Sequence, residues 1–431
     1  MSSPKQLVWD ETRVAYPGWL VVLAMFLVTV TVFGEGIYGF IILVQPIAAE
    51  RNWSAGQAGG LVSAMWLISP LALFCAPIIE RIGPWRLVMV GLATLCLSLL
   101  ALTVTHQFWQ LYLLRALMGV AKTIAIVSMP VIVSQWFTRR FAMAIAIAWS
   151  GGAFGGLVFS PAAESLIAGF GWRQSAFILS AIMFVALIAV IALRWAAMRA
   201  TVSHVGGAFG STAQNLSVNP KIDWRQLRLI DPLTAGAMAL AIAGTGVAGL
   251  GLAIQTPALL NSFGFPPSVG ATVLGVSCAG GMVGSLLAGW TLDRWHARWS
   301  AMMTSILTVT GLLGFIALQA SPTTLLAYSA GAVFGAGIGA SEILWITLTK
   351  RQFGATLFPV TYGGWSFAYQ VGYALAGGIS GYLYSVLDTR EFLIAIACLC
   401  APSMAFSLWR PKSRALTLET PENNDPAIVA G

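Results

Sequence analysis

Long apolar segments alternate with short polar links along the whole chain. Twelve of these segments, called spans 1 to 12 in chain order, hold about 20 or more residues each, enough for a helix to cross a hydrocarbon core of roughly 30 Å. They are apolar on nearly all sides, which is typical of contact with lipid. The pattern predicts an all-α integral membrane protein with twelve transmembrane helices, at 18–46, 56–79, 86–105, 109–134, 141–167, 174–198, 232–260, 268–291, 299–319, 324–348, 355–386 and 390–409.

The links divide the chain into two halves. The longest link, 199–231, is rich in Ser, Gly and Asn and then basic, which predicts a loop. The end of the chain is acidic and contains proline, which predicts disorder. We therefore expect an N-terminal six-helix bundle at 1–198, a cytoplasmic central loop at 199–231, a C-terminal six-helix bundle at 232–410 and a disordered cytoplasmic tail at 411–431.

Three short patterns occur once in each half, separated by 211 to 213 residues. This repetition predicts a duplicated unit, and a duplicated apolar chain is typical of a transporter with its substrate site between two homologous halves. The pairs are Glu80-Arg81 with Arg86 and Asp293-Arg294 with Arg298, Arg139-Arg140 and Lys350-Arg351, and Gln45-Pro46 and Gln255-Thr256-Pro257.

Composition excludes several classes of protein. Hydrophobic residues make up 58% of the chain and charged residues 9%, with a mean hydropathy of +0.82, whereas soluble domains carry roughly 25% charged residues. The three histidines, His106, His204 and His296, all lie in predicted links. The sequence has no metal-ligand cluster and no phosphate-binding loop with its lysine, so we expect neither an enzyme nor an ATP-driven pump, and no cofactor or metal.

The basic residues predict the orientation. Of the 23 lysines and arginines, 18 fall on one side of the predicted membrane, and only Arg51, Arg173 and Arg390 fall in links on the other side. By the positive-inside rule both termini are expected in the cytoplasm, and the membrane is expected to be the cell inner membrane. The net charge of +8 then reflects topology and contact with anionic lipid, not binding to nucleic acid. We expect a monomer.

Four ionisable residues lie well inside predicted spans, where a charge costs roughly 2.5–3.5 kcal/mol. Lys122 is close to the centre of span 4, and Glu35 is about three residues from the centre of span 1. Arg115 and Glu342 each lie about six residues from the centres of spans 4 and 10, or roughly 9 Å off the midplane. Because seven residues make nearly two helical turns, Arg115, Gly119 and Lys122 share one helix face.

The repeated basic links resemble the signature of the major facilitator superfamily. The first copy reads Ala76-x-x-x-Glu80-Arg81-x-Gly83-x-x-Arg86, and the second reads Gly289-x-x-x-Asp293-Arg294-x-His296-x-Arg298. Arg115-x-x-x-Gly119 in span 4 is similar to the second motif of the superfamily. Other stretches are similar to its monocarboxylate-porter and oxalate-formate-antiporter branch, namely Trp136-Phe137-x-x-Arg140, the Gly151-Gly152 and Pro161 run, Gly171-Trp172-Arg173 and Lys350-Arg351-x-Phe353-Gly354.

The resemblance implies two pseudo-symmetric six-helix bundles with spans 1, 4, 7 and 10 around a central cavity. Glu35, Lys122 and Glu342 fall on three of those four spans. An alternative for Lys122 is a buried pair with Glu35 or Glu342 that only holds helices together. Aromatic residues on span 11 recur at helical spacing and line either the cavity or a packing interface, at Tyr362, Trp365, Tyr369 and Tyr373.

These considerations give three groups of candidate site residues. The gating group can pair at span ends and hold one conformation, although membrane anchoring alone would also explain its basic members. We predict Lys122, Arg115, Tyr38, Trp149, Trp365 and Tyr369 as substrate-binding residues, Glu35 and Glu342 as proton-coupling residues, and Glu80, Arg81, Arg86, Asp293, Arg294 and Arg298 as gating residues.

The function predicted is secondary active transport of a small organic anion, a carboxylate, by alternating access with proton symport. A cation at the cavity centre suits a carboxylate, and a nearby acid suits proton coupling. Two alternatives remain open at this point. One is a proton-coupled exporter of amphipathic compounds. Such exporters typically carry a Gly-Pro step in span 5, and Pro161 lies outside that step, which argues against this alternative. The other is a transport-dead membrane sensor.

Overall fold

A computed structural model gives the arrangement of most of the chain, and it describes residues 11, 13, 15–53, 61, 64–66, 68, 70–105, 107–203 and 232–408. The side chains of a few residues within these ranges, including that of Glu35, are outside the description. The described part is almost entirely helical and contains no strand, which confirms the all-α prediction.

The described helices follow the predicted spans, except that the helix of span 2, predicted to begin at residue 56, is described only from Leu71. Span 1 is built from three consecutive pieces, and spans 5 and 6, like spans 10 and 11, are joined in one element. The helices are α1 Gly18–Thr29, a π-helix Val30–Gly39, α2 Phe40–Glu50, α3 Leu71–Ile82, α4 Pro84–Leu102, α5 Phe108–Trp136, α6 Phe141–Ser203, α7 Pro232–Ser262, α8 Pro267–Arg294, α9 Ala297–Ala317, α10 Thr324–Val386 and α11 Thr389–Leu408.

Two glycines turn the chain where consecutive spans meet inside one helical element. Gly171 in α6 has φ 75° and Gly354 in α10 has φ 73°, a conformation that costs glycine little and other residues much more. Each reverses the chain between two passes, so α6 carries spans 5 and 6 and α10 carries spans 10 and 11. Within the described residues, eight helices are long and apolar enough to cross a membrane by length and composition.

Two hydrophobic clusters hold the bundle together. One consists only of second-half residues, from Ala248 to Cys400. The other contains most of the first-half core together with second-half residues such as Trp345, Phe358 and Trp365. The halves therefore share apolar packing along spans 10 and 11. The domain limits stay a prediction, because the central loop from 204 to 231 and the chain from 409 onward lie outside the described residues.

Close helix contacts set the position of the central side chains. A Cβ on Gly119 of α5 would lie 2.4 Å from the carbonyl oxygen of Met65, so only glycine allows α5 to approach this closely. This contact places Lys122, one helical turn further along α5, beside Trp66 of the second span.

Candidate functional site in the centre of the bundle

Lys122 is a buried cation with no hydrogen-bond partner among the described residues. It is 3% exposed, and its Nζ atom lies 3.6 Å from the centroid of the Trp66 ring. A desolvated cation–π contact is worth about 2 kcal/mol, somewhat less than the roughly 2.5–3.5 kcal/mol that a central charge costs on insertion. Trp66 thus offsets part of the cost, and the ammonium keeps unused donors for an anion.

A ladder of aromatic rings runs along the second arm of α10 and reaches Trp66. The ladder consists of Tyr362, Trp365, Tyr369 and Tyr373, with neighbouring centroids 5.2, 5.2 and 4.7 Å apart. Tyr373 in turn lies 5.2 Å from Trp66, centroid to centroid. The ladder therefore connects the second half of the chain to the ring that covers Lys122.

Glu342 of α10 links the two halves of the chain. Its carboxylate accepts hydrogen bonds from the indole Nε1 of Trp149 in the first half and from the hydroxyl of Tyr369 in the second. The Tyr369 hydroxyl also lies 2.9 Å from that of Tyr373. Trp149 and Trp365, both predicted to bind substrate, pack edge to face with centroids 6.4 Å apart. Two predicted substrate-binding residues, Trp149 and Tyr369, thus bond to the predicted coupling carboxylate, and Trp365 packs against the first of them.

The hypothesis of a structural pair between Lys122 and Glu342 does not match these contacts, because Glu342 is held by Trp149 and Tyr369 and Lys122 lies on Trp66. A pair between Lys122 and Glu35 stays a hypothesis, since the Glu35 side chain lies outside the described residues. The Glu35 backbone belongs to the π-helix Val30–Gly39. Such segments are often found at functional sites.

Arg115 is fully buried against span 1. Its Nη1 donates to the carbonyl oxygen of Gly36 at 2.6 Å, and its guanidinium carbon lies 3.8 Å from the Phe40 ring centroid. Its Nε and Nη2 have no hydrogen-bond partner in the described part of the chain. These contacts tie α5 to the π-helix, as expected of a helix-packing residue, and a substrate role for Arg115 stays a prediction.

Tyr38, also predicted to bind substrate, lies at the meeting of three spans. Its ring fills the space beside Gly156, where a Cβ would lie 2.7 Å from two ring carbons. Its hydroxyl interacts with the thiol of Cys278 in α8. Tyr38 therefore joins span 1 to spans 5 and 8, on the same π-helix that Arg115 contacts.

Two residues of the central region, Trp66 and Gln370, were not predicted from the sequence as site residues. Trp66 is a single tryptophan in an apolar span, and no local pattern marks it as different from a packing residue. Gln370 accepts a hydrogen bond from the Thr123 hydroxyl at 3.3 Å and donates to the Ser366 hydroxyl at 3.1 Å. Gln370 could have been found from the sequence, because a side-chain amide inside a transmembrane span is costly to bury unless it has hydrogen-bond partners.

The basic links lie at one end of the bundle, which we call the basic end. There Asp293 joins the two halves of the chain. Its two carboxylate oxygens accept from the backbone N–H groups of Ala142 and Met143, at 3.0 and 2.9 Å. These groups begin α6, so the carboxylate caps a helix N-terminus from the other half and meets its positive dipole end. Gly289, one turn earlier in α8, allows the two helices to approach this closely. A Cβ at this position would lie 2.8 Å from the Ala142 carbonyl oxygen.

The link between α5 and α6 is held from two further directions. Lys350 Nζ donates to the carbonyl oxygen of Phe137 at 2.9 Å. Glu11, which precedes span 1, accepts from three consecutive backbone N–H groups at 3.0, 2.9 and 2.8 Å, those of Thr138, Arg139 and Arg140. Glu11 was not predicted as a gating residue because nothing near it in sequence marks its target.

The other predicted gating residues also lie at the basic end. Glu80 is half-buried at the end of α3, whereas Arg81, Arg86 and Arg298 are exposed. The guanidinium carbon of Arg294 lies 4.8 Å from the Trp290 ring centroid. Their gating role stays a prediction, and the contact that supports it most directly is the cap that Asp293 provides.

Asp293→Asn is expected to lower the turnover rate roughly two- to fivefold, the size of one charge–dipole contact at a helix end. The affinity for substrate should change little, because the cap lies far from Lys122. Uptake rates and binding constants of the purified variant would be compared with those of Asp388→Asn, which alters an exposed aspartate in the link between spans 11 and 12. A large loss of affinity at unchanged turnover would contradict a gating role.

Comparison with known proteins places this geometry in a family. The sequence model of the Major Facilitator Superfamily matches residues 24–358. The chain therefore belongs to the Major Facilitator Superfamily, and it is a multi-pass membrane transporter and not an enzyme. The resemblance recognised in the sequence is confirmed.

Relatives of known type are similar over most of the chain. Monocarboxylate transporter 13 of Rattus norvegicus is 23% identical over 429 residues, covering 95% of both chains. The gallate transporter of Pseudomonas putida is 26% identical over 314 residues, covering 66% of this chain and 68% of the relative. The proton:xylose symporter XylE bound to 6-bromo-6-deoxy-D-glucose superposes with a TM-score of 0.71 at 14% identity, covering 91% of this chain and 95% of XylE, which confirms the twelve-helix fold.

Proposed function

We propose that this protein is a secondary active transporter that moves a small carboxylate across the membrane together with protons. The observation that carries the proposal is the buried ammonium of Lys122, whose described contact is the face of Trp66 and which lacks a hydrogen-bond acceptor among the described residues. A carboxylate arriving in the cavity supplies both the missing counter-charge and the missing acceptor. Two relatives named for carboxylate substrates, monocarboxylate and gallate, support the same class.

Under this proposal Glu342 couples the proton to the movement of the halves. An ionised carboxylate accepts both hydrogen bonds, from Trp149 in the first half and Tyr369 in the second. Protonation removes the negative charge and makes one oxygen a donor, so the carboxyl group accepts these hydrogen bonds more weakly than the carboxylate does. A proton on Glu342 therefore weakens the bond between the halves and favours their separation. Glu35 remains the second proposed coupling residue, on its position in span 1.

Alternating access then opens and closes the basic end. In the described conformation Asp293 caps α6 and Lys350 holds the preceding link, so the halves are in contact there. Opening this end requires both sets of hydrogen bonds to break. We place the basic end and both termini in the cytoplasm of a cell whose inner membrane holds the protein, following the positive-inside rule. A monomer suffices, because one chain contributes both halves of the site.

Uptake by proteoliposomes tests the proposal. Purified protein is offered lactate, benzoate, succinate and xylose, each with and without an inward proton gradient. We expect uptake of at least one carboxylate, stimulated by the gradient, and no uptake of xylose. Vesicles without protein correct for acid that crosses the lipid unaided. Uptake of xylose alone, or carboxylate uptake that equals the protein-free control, would overturn the proposal.

A further inference from the structure

The ring that covers Lys122 belongs to an aromatic group that crosses the interface between the halves. Trp66 comes from the first half, and Tyr373 and Tyr369 come from the second. The Trp66 and Tyr373 rings are tilted by 33° with centroids 5.2 Å apart, and the ladder continues from Tyr373 to Tyr369 at 4.7 Å. An anion bound to Lys122 therefore lies next to the Trp66 ring, which itself packs against Tyr373 of the other half.

We propose that the transported anion is an aromatic carboxylate, with its carboxylate on Lys122 and its ring packed against Trp66 and Tyr373. This inference rests on the proposed function, because it needs Lys122 as the anion-binding residue. It adds the chemical class of the organic part, and it assigns the recognition of that part to two rings contributed by opposite halves.

The distance from Lys122 to Trp66 allows the ring of an arylcarboxylate to contact Trp66. The Lys122 ammonium lies 3.6 Å from the Trp66 centroid, and a carboxylate bound to the ammonium adds about 2.8 Å. When the carboxylate binds beside the Trp66 face, a ring attached directly to it comes within the 4.5–7 Å centroid spacing at which aromatic pairs attract. A short aliphatic acid such as lactate would leave these faces without a matching surface.

The pair also explains how binding can act on both halves at once. In the described conformation Trp66 and Tyr373 contact each other directly across the interface. A flat ring that packs against both replaces this contact with two new ones, one to each half. A substrate ring can thus hold the halves together from within, whereas an anion with a small organic part contacts Lys122 in the first half alone.

Two acids of matched size test the inference. Benzoate and cyclohexanecarboxylate share the carboxylate and a six-carbon ring, but only benzoate has a π-face. We expect the purified protein to bind benzoate roughly two- to tenfold more tightly, the contribution of an aromatic pair beyond its buried area. Isothermal titration with each acid measures the ratio, and lactate serves as the small aliphatic acid.

Variants locate the preference. Trp66→Phe keeps a ring and should keep the preference, whereas Trp66→Leu should bring the ratio of the two affinities close to one. Tyr373→Phe and Tyr373→Leu repeat the comparison on the second half, in case Trp66→Leu fails to fold. Trp299→Leu, which alters an exposed tryptophan of α9, is the matched control and should leave the ratio unchanged.

The outcomes separate this inference from the function on which it rests. Equal binding of the two ring acids, or preferential binding of lactate, would overturn the aromatic class and leave carboxylate transport standing. A preference for benzoate that survives in both leucine variants would overturn the assignment to Trp66 and Tyr373. Failure of folded wild-type protein to bind any of the three acids would overturn the inference together with the proposed function.

Discussion

Lys122→Met is expected to weaken binding of the organic anion by about a hundredfold or more while the protein still inserts and folds. A buried ion pair that loses one partner leaves the other charge without compensation, a loss of about 3–5 kcal/mol. In Lys122→Met the charge left without a partner is that of the incoming carboxylate, so the loss appears as weaker binding. The measurement is equilibrium binding of the carboxylate that wild-type protein takes up, followed by uptake in proteoliposomes.

Stability distinguishes a binding role from a structural one. The Lys122 ammonium is 3% exposed and has no hydrogen-bond acceptor among the described residues. Its replacement by an apolar side chain of similar length removes a buried charge, so the melting temperature should stay the same or rise. A residue that holds helices together would instead lower it.

The control variant keeps the positive charge at position 122. Lys122→Arg retains a cation and should bind the anion measurably, although with altered geometry. Wild-type affinity in a well-folded Lys122→Met preparation would end the hypothesis that Lys122 binds the substrate. A lowered melting temperature with unchanged affinity would assign Lys122 to helix packing.

Glu342→Gln is expected to abolish accumulation driven by a proton gradient while substrate exchange continues. Glutamine cannot take up or release a proton, so the gradient no longer acts on the hydrogen bonds that the side chain at position 342 accepts from Trp149 and Tyr369. Exchange needs only the substrate-loaded protein to change conformation, and the amide oxygen still accepts one hydrogen bond. Accumulation should fall to the level of equilibration, and exchange should stay within a few-fold of wild type.

A parallel series decides which acid couples the proton. Glu35→Gln is assayed beside Glu342→Gln, because Glu35 is the other acid predicted for this role. Glu164→Gln, which alters an exposed glutamate of α6, is the control and should accumulate substrate normally. Wild-type accumulation by Glu342→Gln, with loss in Glu35→Gln, would transfer the coupling role to Glu35.

The positions of the helices follow from the chain alone because lipid imposes a simple rule. Backbone groups in a bilayer must be paired within the segment, so every long apolar run becomes a helix of defined minimum length. The turn between spans 5 and 6 occurs at Gly171 and that between spans 10 and 11 at Gly354, both within links predicted from polarity. The π-helix at Val30–Gly39 was not predicted, because its wider turn depends on contacts such as the bond from Arg115 to Gly36.

The charged members of the site were conspicuous in sequence, but their partners were not. Lys122 and Glu342 stand out because ionisable residues are rare and costly inside a span. Trp66 and Trp149 are aromatic residues in apolar surroundings, the composition of ordinary packing. Their roles depend on which span lies opposite, and local periodicity carries no information about neighbours that are distant in the chain.

The sequence by itself determined the helical membrane architecture, the superfamily and the few charges that the lipid core must tolerate, because burial in lipid acts on each residue locally. Only the tertiary structure decided that Glu342 bonds to Trp149 and Tyr369 instead of Lys122, that Lys122 lies against Trp66, and that Asp293 caps a helix of the opposite half. These contacts join residues from different spans, and their geometry is set by how closely the helices pack.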